Sequence, residues 1–238
     1  MATTKIVRQT MIPIHDDNPT RHFPIVTIAL IISCTLVFLW ELNTSIPHEQ
    51  LIYGLGVTPA LLFKHEAHAA HWQMVPAWMT IFTSMFMHGG WLHLLGNMLF
   101  LWIFGNNVED RLGRIRYLFF YLLCGVIAVL ANALPDASST VPMIGASGAI
   151  AGILGAYLVL FPHARILVII PIFFFITSVW WPAWLVLAIW FGLQILSNLL
   201  TPSGHGGVAW SAHIGGFVAG MLLIMIFTGG RRRPRRYP

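Results

Sequence analysis

Residues 166–180 read ILVIIPIFFFITSVW, and whether they cross a membrane decides the fold. The run is apolar, but it is only 15 residues long and holds Pro171. A membrane-spanning helix needs about 20 mainly apolar residues. Shorter runs are more often interfacial or re-entrant. If this one spans, the chain has seven membrane helices. If it does not, the chain has six.

On either side of it lie longer apolar runs. Ala146 to Phe161, rich in glycine and alanine, precedes it, and Pro182 to Leu200 follows. Further out are Tyr117 to Leu134, and Trp91 to Phe104 with Met79 to Met87 as an outward extension. Phe23 to Leu42 and Ala209 to Thr228 are the outermost runs. Thr44 to Val75 reads as a long first loop of mixed composition, able to fold on the membrane surface. The first 20 residues lack an apolar signal-peptide core and a cleavage site, so the first run is expected to be a retained helix.

Charge placement chooses between six and seven. Lysine and arginine collect in cytoplasmic loops near helix ends. With six helices and a cytoplasmic N-terminus, Lys5, Arg8, Arg21, Arg111, Arg114, Arg116 and Arg165 lie inside. So do Arg231, Arg232, Arg233, Arg235 and Arg236. Only Lys64 lies outside, so 12 of the 13 basic residues share one face. A seventh helix would move the five tail arginines across. The expected architecture is an all-α polytopic membrane protein with six transmembrane helices and both termini cytoplasmic. Residues 1–22 form a cytoplasmic segment, 23–228 the bundle and 229–238 a basic cytoplasmic tail.

Composition agrees with lipid as the main solvent. The 238 residues are 57% hydrophobic and 9% charged, against about 25% charged in a soluble domain. The net charge of +5 is concentrated at loop ends and is no signature of nucleic-acid binding. Cys34 and Cys124 lie in apolar runs and read as small packing residues.

Polar residues inside membrane helices are costly, so each needs an account. His93 and Asn97 are four apart on the second helix and share a face. Ser147 opens the fourth helix within Gly145-Ala146-Ser147-Gly148. His213 is in the first turn of the sixth, within Ala212-His213-Ile214-Gly215-Gly216. In the six-helix reading these three helices run the same way, so all four residues sit at one depth near the outer surface. His213, Gly216 and Gly220 share one face of the sixth helix. Ser147, Ala151 and Gly155 share one face of the fourth, with Gly148 and Gly152 beside them. Small residues so spaced let membrane helices approach closely. A histidine within reach of a serine can take its proton as general base. The charge that then develops on the substrate oxygen needs donors, for which His93, Asn97 and the Ser147 N–H are candidates. With no acid in these turns, the reading is a serine–histidine dyad.

The stretch HGGWLHLLGNMLFLWIFGNNVEDRLG, His88 to Gly113, together with GASG and AHIGGFVAG, resembles the rhomboid family of intramembrane serine proteases in its compact six-helix bacterial type. The likeness runs from Pro24 to Thr228, and IPIHDDNPTRHFPIV before it fits the same group. The resemblance implies that Ser147 is the nucleophile, that His213 is its base, and that His93 and Asn97 assist the oxyanion. Glu109 and Arg111 match a structural polar pair. The chain departs from many members at Trp78-Met79-Thr80, where they carry an arginine after the tryptophan. The implied activity is endopeptidase cleavage of single-pass transmembrane proteins in a prokaryotic cytoplasmic membrane. Lipids are the remaining partner. No metal, organic cofactor or nucleic acid is implied, and the oligomeric state is left open.

Blander readings stand beside these. Ser147 taken alone is a helix cap or packing serine, and His213 alone a core histidine. His93 and Asn97 taken alone bond across helices. His88 reads as structural. His65, His68 and His71 repeat every three residues, but no cysteine or carboxylate pattern supports a zinc site, and a wet loop face is the plainer reading. The alternative functions are a catalytically idle relative that binds membrane helices, and a transporter. A transporter would be expected to carry charged groups or broken helices at mid-membrane.

Overall fold

The computed structural model describes residues 11–64, 71–172, 175–201 and 207–229. The chain opens with a short strand, β1 (Ile12–Asp16), and enters α1 (Ile25–Asn43). The first loop carries α2 (His48–Leu55), α3 (Pro59–Leu62) and α4 (Ala77–Thr83). Then come α5 (Trp91–Phe100), a π turn (Leu101–Gly105), α6 (Asn106–Leu112) and α7 (Arg114–Ala133). The last elements are α8 (Ser147–Leu160), β2 (Arg165–Ile172), β3 (Phe175–Pro182), α9 (Ala183–Leu200) and α10 (Trp210–Phe227). Among the described residues, α1, α7, α9 and α10 are each long and apolar enough to cross a membrane. The molecule is a mostly helical, polytopic membrane protein.

The short α8 is the hub. Its 14 residues rise roughly 21 Å, less than the ~30 Å of a hydrocarbon core. It is buried almost along its length, so its backbone ends meet protein and not lipid. Glycine lets its neighbour come close. A Cβ on Gly216 would fall on the Gly148 carbonyl, and one on Gly220 would fall on the Gly152 carbonyl. α8 and α10 thus meet backbone to backbone. The contact stripe on α8 runs through Gly148, Gly152 and Gly155, sharing Gly155 with the expected Ser147–Ala151–Gly155 line and otherwise taking the two glycines beside it.

The expectation of an all-α chain is corrected at one end. The described residues of 166–180 lie in β2 and β3, which pair as an antiparallel hairpin and join β1 in a sheet of order β1-β2-β3. Isoleucine, valine and threonine favour a pleated strand, and Ile166 and Val168 point alternately into the core. The hairpin leaves and returns at the same end of the bundle. Ala183 N–H donates to Ala164 O at 2.8 Å and Trp184 N–H to Pro162 O at 3.0 Å, so α9 starts where α8 stopped. An open sheet edge belongs outside hydrocarbon.

Asp16 pins the sheet to the helices. Its carboxylate accepts from the Tyr157 hydroxyl at 2.6 Å and from Asn107 Nδ2 at 2.9 Å. Burial raises its pKa, with the Tyr157 bond pulling the other way. Next to it, burial also works to raise Asp17, but the Arg165 bonds and charge together hold it below the usual carboxylate value. Glu109 caps α1, accepting the Val26 and Thr27 N–H groups at 2.9 and 2.8 Å and the Thr27 hydroxyl at 2.8 Å. A carboxylate at a helix N-terminus meets both unpaired donors and the dipole.

Candidate active site

Three helix N-termini converge on one cavity of about 920 Å³, and Ser147, His213, His93 and Asn97 all line it. The sheet is at the far end of α8. The approach to Ser147 is tied down by the first loop. Val57 and Met143 exchange N–H···O bonds of 2.9 and 2.8 Å, and Gly145 N–H donates to Ser84 O at 2.8 Å. Gly145 has φ +124°, and a Cβ there would press on the His93 ring. Both its backbone and its surroundings therefore require glycine.

Ser147 is the first residue of α8, half-buried, with its hydroxyl in the cavity. Its N–H belongs to the first helical turn, where donors lack intrahelical acceptors. His213 stands across from it in the first turn of α10, and Nε2 lies 2.7 Å from Ser147 Oγ. The residue is buried, at 9% exposure. Trp190 lies against one side, its ring centre 6.0 Å away and tilted by 30°. Trp210 meets the ring edge-on at 5.9 Å.

His93 is held by its other nitrogen. The Gly89 N–H donates to Nδ1 at 3.3 Å. A neutral imidazole has one N–H and one bare nitrogen, so the proton sits on Nε2, the nitrogen on the Gly145 side of the ring. Asn97, one turn further along α5, is 8% exposed. Its Nδ2 has no hydrogen-bond partner among the described residues. A buried amide donor without an acceptor is costly. Asn97 lines the same cavity as Ser147, where such a donor can meet a negatively charged oxygen.

His88, 5.1 Å from the His93 ring, is fully buried. Its Nδ1 bonds Phe86 O at 3.1 Å and its N–H reaches Glu41 Oε2 at 3.4 Å. His65 and His68 lie outside the described residues. His71 packs on Trp72 at 5.0 Å.

One polar side chain was missed by the sequence reading. Gln194 of α9 places Oε1 2.8 Å from His213 Nδ1. The available signal was the rule already applied elsewhere: an amide within an apolar membrane run demands a partner. Its spacing from His213 did not disclose the pairing, because a loop separates the two helices.

A family model described as rhomboid domain matches residues 75–230. The mitochondrial rhomboid protein 1 of Saccharomyces cerevisiae is 31% identical over 148 residues, 60% of this chain and 40% of its own length. The putative rhomboid protease YdcA of Bacillus subtilis is 30% identical over 146 residues, 58% of this chain and 63% of its own. The rhomboid protease GluP of the same organism is 32% identical over 123 residues, 52% of this chain and 22% of its own. The chain therefore spans less than two thirds of each of these relatives.

Proposed function

Because the chain belongs to the rhomboid family, we propose that it is an intramembrane serine endopeptidase that cuts transmembrane segments of other membrane proteins. The observation that carries this reading is the 2.7 Å approach of His213 Nε2 to Ser147 Oγ in the wall of a cavity. His213 takes the hydroxyl proton as the oxygen attacks the scissile carbonyl, then gives it to the leaving amine. His93 Nε2–H, Asn97 Nδ2–H and the Ser147 N–H donate to the oxyanion. Substrates are single-pass proteins whose helix unwinds easily at the cut, since a helical carbonyl is already hydrogen-bonded. Glycine near the site lowers that cost.

The test is incubation of the purified protein in proteoliposomes with a single-pass substrate carrying a glycine-containing segment. Cleavage within or next to that segment supports the reading. Stable binding with no cut product would favour the idle, helix-binding relative.

The same reading gives six crossings, with α5–α6 and α8 joining the four long helices, and both termini in the cytoplasm of a prokaryotic cell. The charge asymmetry supports it, although the arginine tail lies outside the described residues. Cys34 and Cys124 are buried, so a Pro238→Cys variant offers one accessible thiol. An impermeant maleimide should label it only after the cells are opened. Labelling of intact cells would contradict the six-helix arrangement.

Asn97→Ala should lower turnover about 10²- to 10³-fold, the usual effect of removing one oxyanion donor. The loss should fall on kcat and leave KM nearly unchanged, because the bond strengthens only as charge develops. Adding His93→Ala should cost less than the product of the two single losses. Steady-state kinetics in one lipid system decides. Wild-type turnover with a raised KM would make Asn97 a binding residue.

A further inference from the structure

Gln194 is 2% exposed and belongs to none of the motifs that carry the family resemblance. Its amide has two partners. One end faces the Trp190 carbonyl at 3.2 Å, one turn back on α9. The other end faces His213 Nδ1 at 2.8 Å. A backbone carbonyl only accepts, so the end towards Trp190 must be the NH2 group. The end towards His213 is then the amide oxygen, which also only accepts. Nδ1 must carry the imidazole proton. In a neutral ring Nε2 is then bare, and Nε2 is the nitrogen 2.7 Å from Ser147 Oγ.

The direction of every bond in the row follows from one fixed carbonyl. We propose that Gln194 is the positioning residue of this site, holding His213 in the one tautomer able to take the Ser147 proton. The inference rests on the protease reading above.

An amide suits the place. The orienting partner in many serine hydrolases is a carboxylate, but a charge buried within membrane helices is heavily penalised. An amide oxygen fixes the tautomer without adding one. Trp190 and Gln194 are four residues apart on α9 and so share a face. From that face the indole lies against the ring while the amide holds Nδ1. A single helix thus sets both the tilt and the tautomer of the base.

The experiment compares Gln194→Leu and Gln194→Glu with wild type in the full chain. Leucine keeps the bulk and removes the acceptor. Glutamate restores an acceptor at the same reach. The readouts are kcat and KM on a membrane substrate, thermal unfolding, and the ¹⁵N spectrum of the His213 ring. Gln194→Leu should lower kcat about 10- to 100-fold, the scale seen when the partner orienting a metal-bound histidine is lost. KM should hold, and the spectrum should change from protonated Nδ1 to a tautomer mixture. Gln194→Glu should regain most of kcat. Wild-type kcat and unchanged tautomer in Gln194→Leu would overturn the proposal. If Gln194→Leu fails to fold, wild-type kcat with an unchanged ring spectrum in a folded Gln194→Met, which also lacks the amide acceptor, would overturn it. A wild-type protein that cuts nothing contradicts the protease reading, while the ring spectrum still decides for or against Gln194.

Discussion

Replacing Ser147 by alanine should leave a protein that folds normally and cuts nothing. The hydroxyl touches little. It faces the cavity, and its bond is the one to His213 Nε2 at 2.7 Å. Losing one neutral hydrogen bond costs about 1 kcal/mol. At the first position of α8, alanine returns part of that through its better helix propensity, about 0.5 kcal/mol. The unfolding temperature should therefore shift by no more than roughly 4 °C. Turnover has no comparable compensation. Without the oxygen there is no acyl-enzyme, and removing such a nucleophile costs on the order of 10⁶-fold. Cleavage of a fluorogenic membrane substrate, read beside thermal unfolding, checks both halves. Retained activity in a well-folded variant would end the assignment. Joint loss of fold and activity would make Ser147 a packing residue.

Gly220→Leu should fail in the opposite way, through structure first. A Cβ at Gly220 would land on the Gly152 carbonyl. No rotamer relieves a backbone clash, so α10 must move away from α8. Overpacking of this kind costs about 1–3 kcal/mol, and more where the backbone cannot shift. His213 lies two turns along the same helix. Its 2.7 Å approach to Ser147 is lost when the helices part, and misplacement by about 1 Å can cost ~10²-fold in rate. Gly192 on α9 supplies the comparison. It is exposed, with nothing near a would-be Cβ. Gly192→Ala should hold stability or raise it by up to about 1 kcal/mol through helix propensity. Melting curves and fluorophosphonate labelling of both variants decide. Equal stability and labelling for Gly220→Leu and wild type would contradict the close α8–α10 contact.

Much of this arrangement is legible in the sequence, for reasons that can be named. Lipid forces long apolar runs, so α1, α7, α9 and α10 announce themselves. Intramembrane polarity is rare, so Ser147, His213, His93 and Asn97 stand out, and the structure lines one cavity with all four. What escapes is non-local. The sheet depends on Ile12–Asp16 meeting a hairpin about 150 residues later, and pairing at that distance leaves no local period to read. Pro171 argued against a helix without declaring a strand. The π turn at Leu101–Gly105 also escapes, because it answers to neighbours. There a Cβ on Gly105 would press on the Tyr117 hydroxyl and on Thr27. Gln194 was visible as a polar residue, but its partner was not.

The central claim is that Ser147 is a nucleophile activated by His213. Labelling with a fluorophosphonate, which reacts with activated serines, tests it most directly in the purified protein, with Ser147→Ala and His213→Ala alongside. The account predicts one label on wild type, carried by the peptide containing Ser147, and none on either variant. Equal labelling of wild type and His213→Ala, or a label on any peptide lacking Ser147, would contradict it.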